Sequence, residues 1–194
     1  MRRRRVAILI SGRGTNMAAL IEAARDPSYP AEIVLVISNN PSAKGLEIAK
    51  AAGIKTQSIS HKDYSIKSIF EDHILHALNE SKIELICLAG FMRVLSASFV
   101  SRWEDRILNI HPSLLPAYRG LDTHKRALAD GVKKHGCTVH FVVPELDAGP
   151  IIAQAEVPVH KGDTEETLSA RVLAVENKLY PEALAKVAAT LAPL

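Results

Sequence analysis

Apolar residues follow two rhythms along this chain: short unbroken runs such as Val6-Ala-Ile-Leu-Ile10, and longer stretches in which they recur every three or four positions. The first rhythm suits strands buried on both faces, and the second suits helices laid against them. Residues 6–10, 32–38, 54–59, 83–89 and 107–110 are therefore predicted as strands, and 15–25, 43–52, 64–80 and 96–103 as the helices between them. Gly53 stands where a helix cap belongs. The run at 83–89 is the most apolar, which places it at the centre of the sheet. After residue 111 come a proline-rich loop, a helix over 123–130, strands at 137–143 and 151–157, and a final helix over 164–189. That helix is expected to be capped by Asp163 or Thr164 and to be kinked or divided at Pro181. The alternation predicts an α/β fold: a single Rossmann-like domain over residues 1–194, with a mostly parallel central sheet flanked by helices and a mixed C-terminal extension.

Composition narrows the class. The 194 residues suit one hydrophobic core, and 47% hydrophobic with 23% charged residues excludes disorder, collagen-like repeats and coiled coil. No apolar run approaches the roughly 18–20 residues that span a bilayer. The basic first residues lead into no signal-peptide cleavage pattern, so a cytoplasmic protein is expected. The formal charge of +3 becomes −1 once Arg2, Arg3, Arg4 and Arg5 are set aside. The body of the protein is thus not basic and no nucleic-acid partner is expected, while the arginine head is expected to be disordered. Cys87 and Cys137 lack metal-like spacing and read as reduced, buried thiols.

Three stretches carry candidate chemistry. Ser11-Gly12-Arg13-Gly14-Thr15-Asn16 joins the first strand to the first helix, where glycines let backbone N–H groups meet an anion. Met17 replaces the third glycine of a dinucleotide fingerprint and no Gly-Lys-Ser/Thr is present, so a monophosphate fits better than NAD, although a plain tight turn explains the glycines equally well. In Asn109-Ile-His-Pro-Ser-Leu-Leu-Pro116, strand alternation puts Asn109 and His111 on one side, and the two prolines stiffen the backbone on either side of Ser113. Glu145-Leu-Asp-Ala-Gly-Pro150 reads as a turn that offers the Asp147 carboxylate to an imidazolium. His140 is expected to be a packed or surface strand residue, and His73 and His76 to lie on an exposed helix face.

Taken together, Ile10-Ser-Gly-Arg-Gly-Thr-Asn16, Leu88-Ala-Gly-Phe-Met-Arg93, Asn109-Ile-His-Pro-Ser-Leu-Leu-Pro116 and Glu145-Leu-Asp-Ala-Gly-Pro150 resemble the phosphoribosylglycinamide formyltransferases, the folate-dependent glycinamide ribonucleotide transformylases of purine biosynthesis. The resemblance runs from Val6 to about Pro181 and implies the formyltransferase fold. It implies that Asn109, His111 and Asp147 are catalytic, and that Gly12, Arg13, Gly14, Thr15 and Asn16 hold the acceptor phosphate with Glu176 at its amine. It further implies that Lys67, Met92, Arg93, Val94, Leu95, Val143, Pro144, Glu145 and Leu146, with Asn109 and Asp147, form the folate side. The co-substrate would be 10-formyltetrahydrofolate, with no metal. The partners would be small-molecule substrates, with neither nucleic acid nor membrane, and the chain would act as a monomer or a homodimer.

Other readings stand beside this one. A sugar-amine formyltransferase would share the catalytic residues. A transfer-RNA formyltransferase or a formyltetrahydrofolate hydrolase would be expected to carry a further domain, for which this chain has no room. A nucleotide-binding regulatory module would leave Asn109, His111 and Asp147 unexplained, and a serine hydrolase built on Ser113 lacks the Gly-x-Ser-x-Gly elbow.

Overall fold

Val6, Ile8 and Ile10 project to one side of the first strand and Ala7 and Leu9 to the other, and both sets are fully buried. Period-two alternation in an unbroken apolar run therefore feeds two cores at once. The computed structural model describes residues 2–192. Its strands are β1 (Arg4–Ile10), β2 (Ala31–Ser38), β3 (Lys55–Ser58), β4 (Leu85–Leu88), β5 (Ile107–His111), β6 (Lys134–Phe141) and β7 (Ile151–Pro158). They form one sheet in the order β3-β2-β1-β4-β5-β6-β7, with β4 in the middle. Pairing is parallel from β3 to β5 and antiparallel from β5 to β7.

Helices α1 (Thr15–Ala23), α2 (Lys44–Ala51), α3 (Lys67–Glu80), α4 (Ala97–Arg102), α5 (Thr123–Ala129) and α6 (Glu165–Thr190) complete the layers. One core cluster gathers Met17 and Leu20 of α1 and Leu168, Val172, Tyr180 and Leu184 of α6 against β1, β4 and β5. The other gathers Phe70, Ile74 and Leu78 of α3 and Phe99 of α4 on the opposite face. Tyr180, fully buried, donates its hydroxyl to the carbonyls of Leu88 and Leu108 at 3.0 Å each, fastening α6 across two strands. Cys87 and Cys137 are free and buried, and burial pushes both thiols up to about 12. Among the described residues, no helix is long and apolar enough to cross a membrane.

Two expectations need correction. α6 is not divided at Pro181, which lies inside the one helix, while of the two expected caps it is Thr164 that closes the first turn, in a reciprocal pair with Thr167. The arginine head is built into the fold, because each guanidinium finds an acceptor that only the folded chain assembles. Arg3 donates to the carbonyls of Ala31 and Ala24, and Arg5 to Ser81 O and Glu32. Arg4 donates to Glu84 at 2.9 Å and to Leu191 O, and Arg2 approaches the same Glu84 at 3.3 Å.

Glu84 is therefore a buried carboxylate that closes the start of β1 against β4. Burial raises its pKa, but the Arg5 N–H, the Arg4 hydrogen bond and the charges of Arg2 and Arg4 outweigh that and hold the carboxyl below its ordinary 4.5. A depressed folded pKa contributes stability that is complete above the unfolded value and is lost as pH falls through the folded one. Glu84→Gln is expected to lower the urea-unfolding free energy at pH 7 by about 2 kcal/mol. The gap between the two proteins should narrow as the pH is taken below about 4.5.

Candidate active site

The parallel strands β1, β4 and β5 are neighbours, so the segments leaving their carboxyl ends share one edge of the sheet. Ligands of open α/β sheets bind at such an edge, where the chain order reverses between adjacent strands. Here the order reverses between β1 and β4.

After β1, Gly12 and Arg13 lead to Gly14, the left-handed residue (φ 76°) that starts α1. A Cβ there would come within 2.8 Å of Gly45 Cα and 3.0 Å of Met17 Cε, so only glycine fits both the turn and the space. Gly45 N–H donates to Gly12 O at 3.0 Å and fixes the loop against α2. The first N–H groups of α1, from Thr15 onward, have no intrahelical acceptor and face the same end. Asn16 is buried and donates its Nδ2 to Glu176 Oε2 of α6 at 2.8 Å, while its Oδ1 has no partner among the described residues. Burial raises the Glu176 pKa, and the Asn16 hydrogen bond only partly offsets this. A buried amide oxygen without a donor beside a carboxyl of raised pKa suits a small donor-rich group such as an amine.

The second cluster lies across β5 and β6. Antiparallel register sets Asn109 opposite His140 and His111 opposite Thr138. His140 donates Nδ1–H to its neighbour's carbonyl, Phe141 O, at 2.8 Å, which leaves Nε2 to accept from Asn109 Nδ2 at 3.2 Å. Burial lowers the His140 pKa against the smaller opposing effects of Phe141 O and Asp147, so the ring stays neutral and orients the amide. Asn109 keeps a second amide hydrogen for a ligand. His111 faces Tyr118 O through Nε2 at 2.9 Å and Asp147 Oδ2 through Nδ1 at 3.4 Å. Both partners are acceptors, an arrangement that suits a ring carrying a proton on each nitrogen.

Asp147 adopts φ 49°, a left-handed conformation that Asp tolerates better than most residues. The turn that aims it depends on Gly149, where a Cβ would lie 1.8 Å from Phe141 O. Asp147 Oδ2 also accepts from Gly120 N–H at 2.9 Å, and Oδ1 lies 3.8 Å from His140 Nε2. Ser113 is buried and donates its hydroxyl to Ala117 O at 2.6 Å, so it stiffens the loop rather than facing a substrate.

The remaining positions divide. Met92, Arg93 and Val94 follow β4 and are exposed, but the Leu95 side chain is buried in the core with Phe99. Leu95 can thus meet a ligand only through its backbone. Pro144, Glu145 and Leu146 are exposed on the Asp147 loop, Val143 is half-buried, and Glu145 pairs with Arg119 at 3.3 Å. Lys67 opens α3, and its Nζ lies 3.9 Å from Glu71. His140, expected to be a packed or surface residue, is a member of the site. His124 and His135 also meet, at 3.2 Å, and burial together with His124 takes His135 down to about 4. Only the β5–β6 register could have identified His140.

Comparison with known proteins identifies the family and the fold. A family model described as formyl transferase matches residues 4–184. The phosphoribosylglycinamide formyltransferase of Escherichia coli (strain K12) is 44% identical over 176 residues, covering 91% of this chain and 83% of that protein. The trifunctional purine biosynthetic protein adenosine-3 of Gallus gallus is 54% identical over 95% of this chain, which spans 18% of that longer protein. The crystal structure of phosphoribosylglycinamide formyltransferase from Brucella melitensis superposes with a TM-score of 0.94 at 57% identity, covering 99% of each chain. By sequence along most of its length, and by the fold that brings its glycine loop to the edge bearing Asn109 and His111, this chain belongs to the formyl transferase family.

Proposed function

We propose that this chain transfers the formyl group of 10-formyltetrahydrofolate to the amine of 5'-phosphoribosylglycinamide. The observation that carries the reading is the convergence of Asn109, His111 and Asp147 on the sheet edge that also bears the glycine loop. The Escherichia coli and Brucella melitensis relatives bear the name of that activity. In the proposed arrangement the loop of residues 12–16 receives the acceptor phosphate, and Asn16 Oδ1 and Glu176 receive its glycinamide end. Met92, 64% exposed, Val94, 61% exposed, and Leu146, 54% exposed, are large apolar side chains held in the open, which fits a flat aromatic donor covering them.

Attack of an uncharged amine on a formyl carbonyl develops negative charge on oxygen and positive charge on nitrogen. Asn109, its amide turned by neutral His140, offers the oxygen its second Nδ2 hydrogen. His111 keeps Nε2–H on Tyr118 O, while its Nδ1–H, in an ion pair with Asp147 at 3.4 Å rather than a hydrogen bond, turns to the same oxygen as a charge-assisted donor. Donors fixed before the reaction contribute because they need not reorganise as charge appears; one such donor is worth about 10²–10³ in rate elsewhere. Asp147 keeps the imidazolium in place, and the His111–Asp147 pair together passes the amine proton to the folate nitrogen as its bond to the formyl carbon breaks, a general acid–base contribution of roughly 10²–10⁴.

The direct test is to incubate the protein with 10-formyltetrahydrofolate and 5'-phosphoribosylglycinamide and to follow tetrahydrofolate release. Steady release that requires the phosphorylated acceptor supports the reading, and transfer to amino sugars in its place would contradict it. His111→Ala and Asp147→Asn are expected to lower kcat by about 10²–10³ with little change in KM for the acceptor. His140→Ala should lower kcat by about tenfold, the value of one lost orienting hydrogen bond. Gly14→Val should act in the opposite sense, raising KM for the acceptor far more than it lowers kcat, because strain at φ 76° and the clash with Gly45 displace the loop.

A further inference from the structure

The exposed residues 92–94 belong to a strap, residues 90–96, that leaves β4 and is pinned at both ends. At the first end Ser11 N–H donates to Gly90 O at 3.1 Å, and Met92 N–H donates to Ser11 Oγ at 2.8 Å. Ser11 is also the first residue of the glycine loop, so one hydroxyl joins the two sides of the site. At the far end Ser96 N–H donates to Glu71 Oε1 at 2.7 Å, and the Ser96 hydroxyl donates to Glu71 Oε2. The same hydroxyl accepts from Phe99 N–H at 3.2 Å and so caps α4.

Glu71 is out of keeping with its surroundings. It is 4% exposed on an α3 face whose other buried members are Phe70, Ile74, Leu75, Ala77 and Leu78. A buried carboxyl is costly unless its oxygens are satisfied, and here both are satisfied by one residue at the end of the strap. A helix cap alone does not require it, because the Ser96 hydroxyl already caps α4. Glu71 also pairs with Lys67, one turn earlier at 3.9 Å. The carboxyl thus joins the strap to the first cation of α3.

We propose that Glu71 is a positioning residue for the formyl donor, fixing residues 92–95 and Lys67 in one geometry. The proposal rests on the reading of those residues as the folate side. Its test combines Glu71→Ala and Glu71→Gln, hydrogen exchange of the peptide covering residues 90–97, and steady-state KM values for 10-formyltetrahydrofolate and for the acceptor. In Glu71→Ala the amides of the strap should exchange several-fold faster, and KM for the donor should rise about tenfold while KM for the acceptor stays put. Glu71→Gln, whose carboxamide oxygen can still accept from Ser96 N–H, should restore strap protection and most of the donor affinity; it also supplies the answer if the alanine variant fails to fold. Unchanged exchange in both variants would overturn the anchor. A rise in both KM values together, or a drop in thermal midpoint without any KM split, would reduce Glu71 to a structural cap. Faster strap exchange with an unmoved donor KM would overturn the assignment of the strap to the donor while leaving the anchor intact.

Discussion

One carboxylate ties together the segments that make up the reactive end of this protein. Asp147 Oδ2 accepts from Gly120 N–H and faces His111, and Oδ1 looks toward His140, so a single side chain touches β5, β6 and the loop between them. Such a group is stable when largely buried only because donors surround it. Its placement needs two local conditions: a left-handed backbone at Asp147 itself, and a glycine at 149 that lets the chain turn back against Phe141 O. Remove either, and the imidazole loses the partner that sets its orientation.

The antiparallel half of the sheet serves this arrangement. β1, β4 and β5 run parallel and deliver the glycine loop, the strap and Asn109 with His111 to one edge. A sixth parallel strand would need a crossover before returning, whereas β6 runs back directly beside β5. That reversal sets the neutral His140 opposite Asn109 and lets the loop after β6 bring Asp147 to His111. In the proposed transfer, the parallel half supplies the glycine loop and the strap, and the antiparallel half adds Leu146 to the donor side and orients the groups between the substrates.

Much of this was legible in the amino-acid order, for identifiable reasons. Val6–Ile10 of β1 and all of β4 are continuous apolar runs because they are buried on both faces, and the glycine loop announces itself because Gly14 needs a positive φ. Asn109 and His111 sit two apart on one strand, so their shared side follows from period two alone. The features that stayed hidden depend on partners distant in sequence. The arginine head reads as a loose tail, yet Arg4 is held by Glu84, eighty positions away. His140 is one histidine among eight until the β5–β6 register is known. Glu71 reads as an ordinary helical acid until Ser96 is found against it. Leu95 shares a motif with exposed neighbours but turns into the core.

The central claim is that Asp147 acts on the reaction through His111, so the two behave as one unit. A double-mutant cycle on kcat tests this most directly, using His111→Ala, Asp147→Asn and the combined variant with both substrates saturating. The account requires the combined variant to be no slower than the slower single variant. Losses that multiply would show the two groups acting independently and would contradict it.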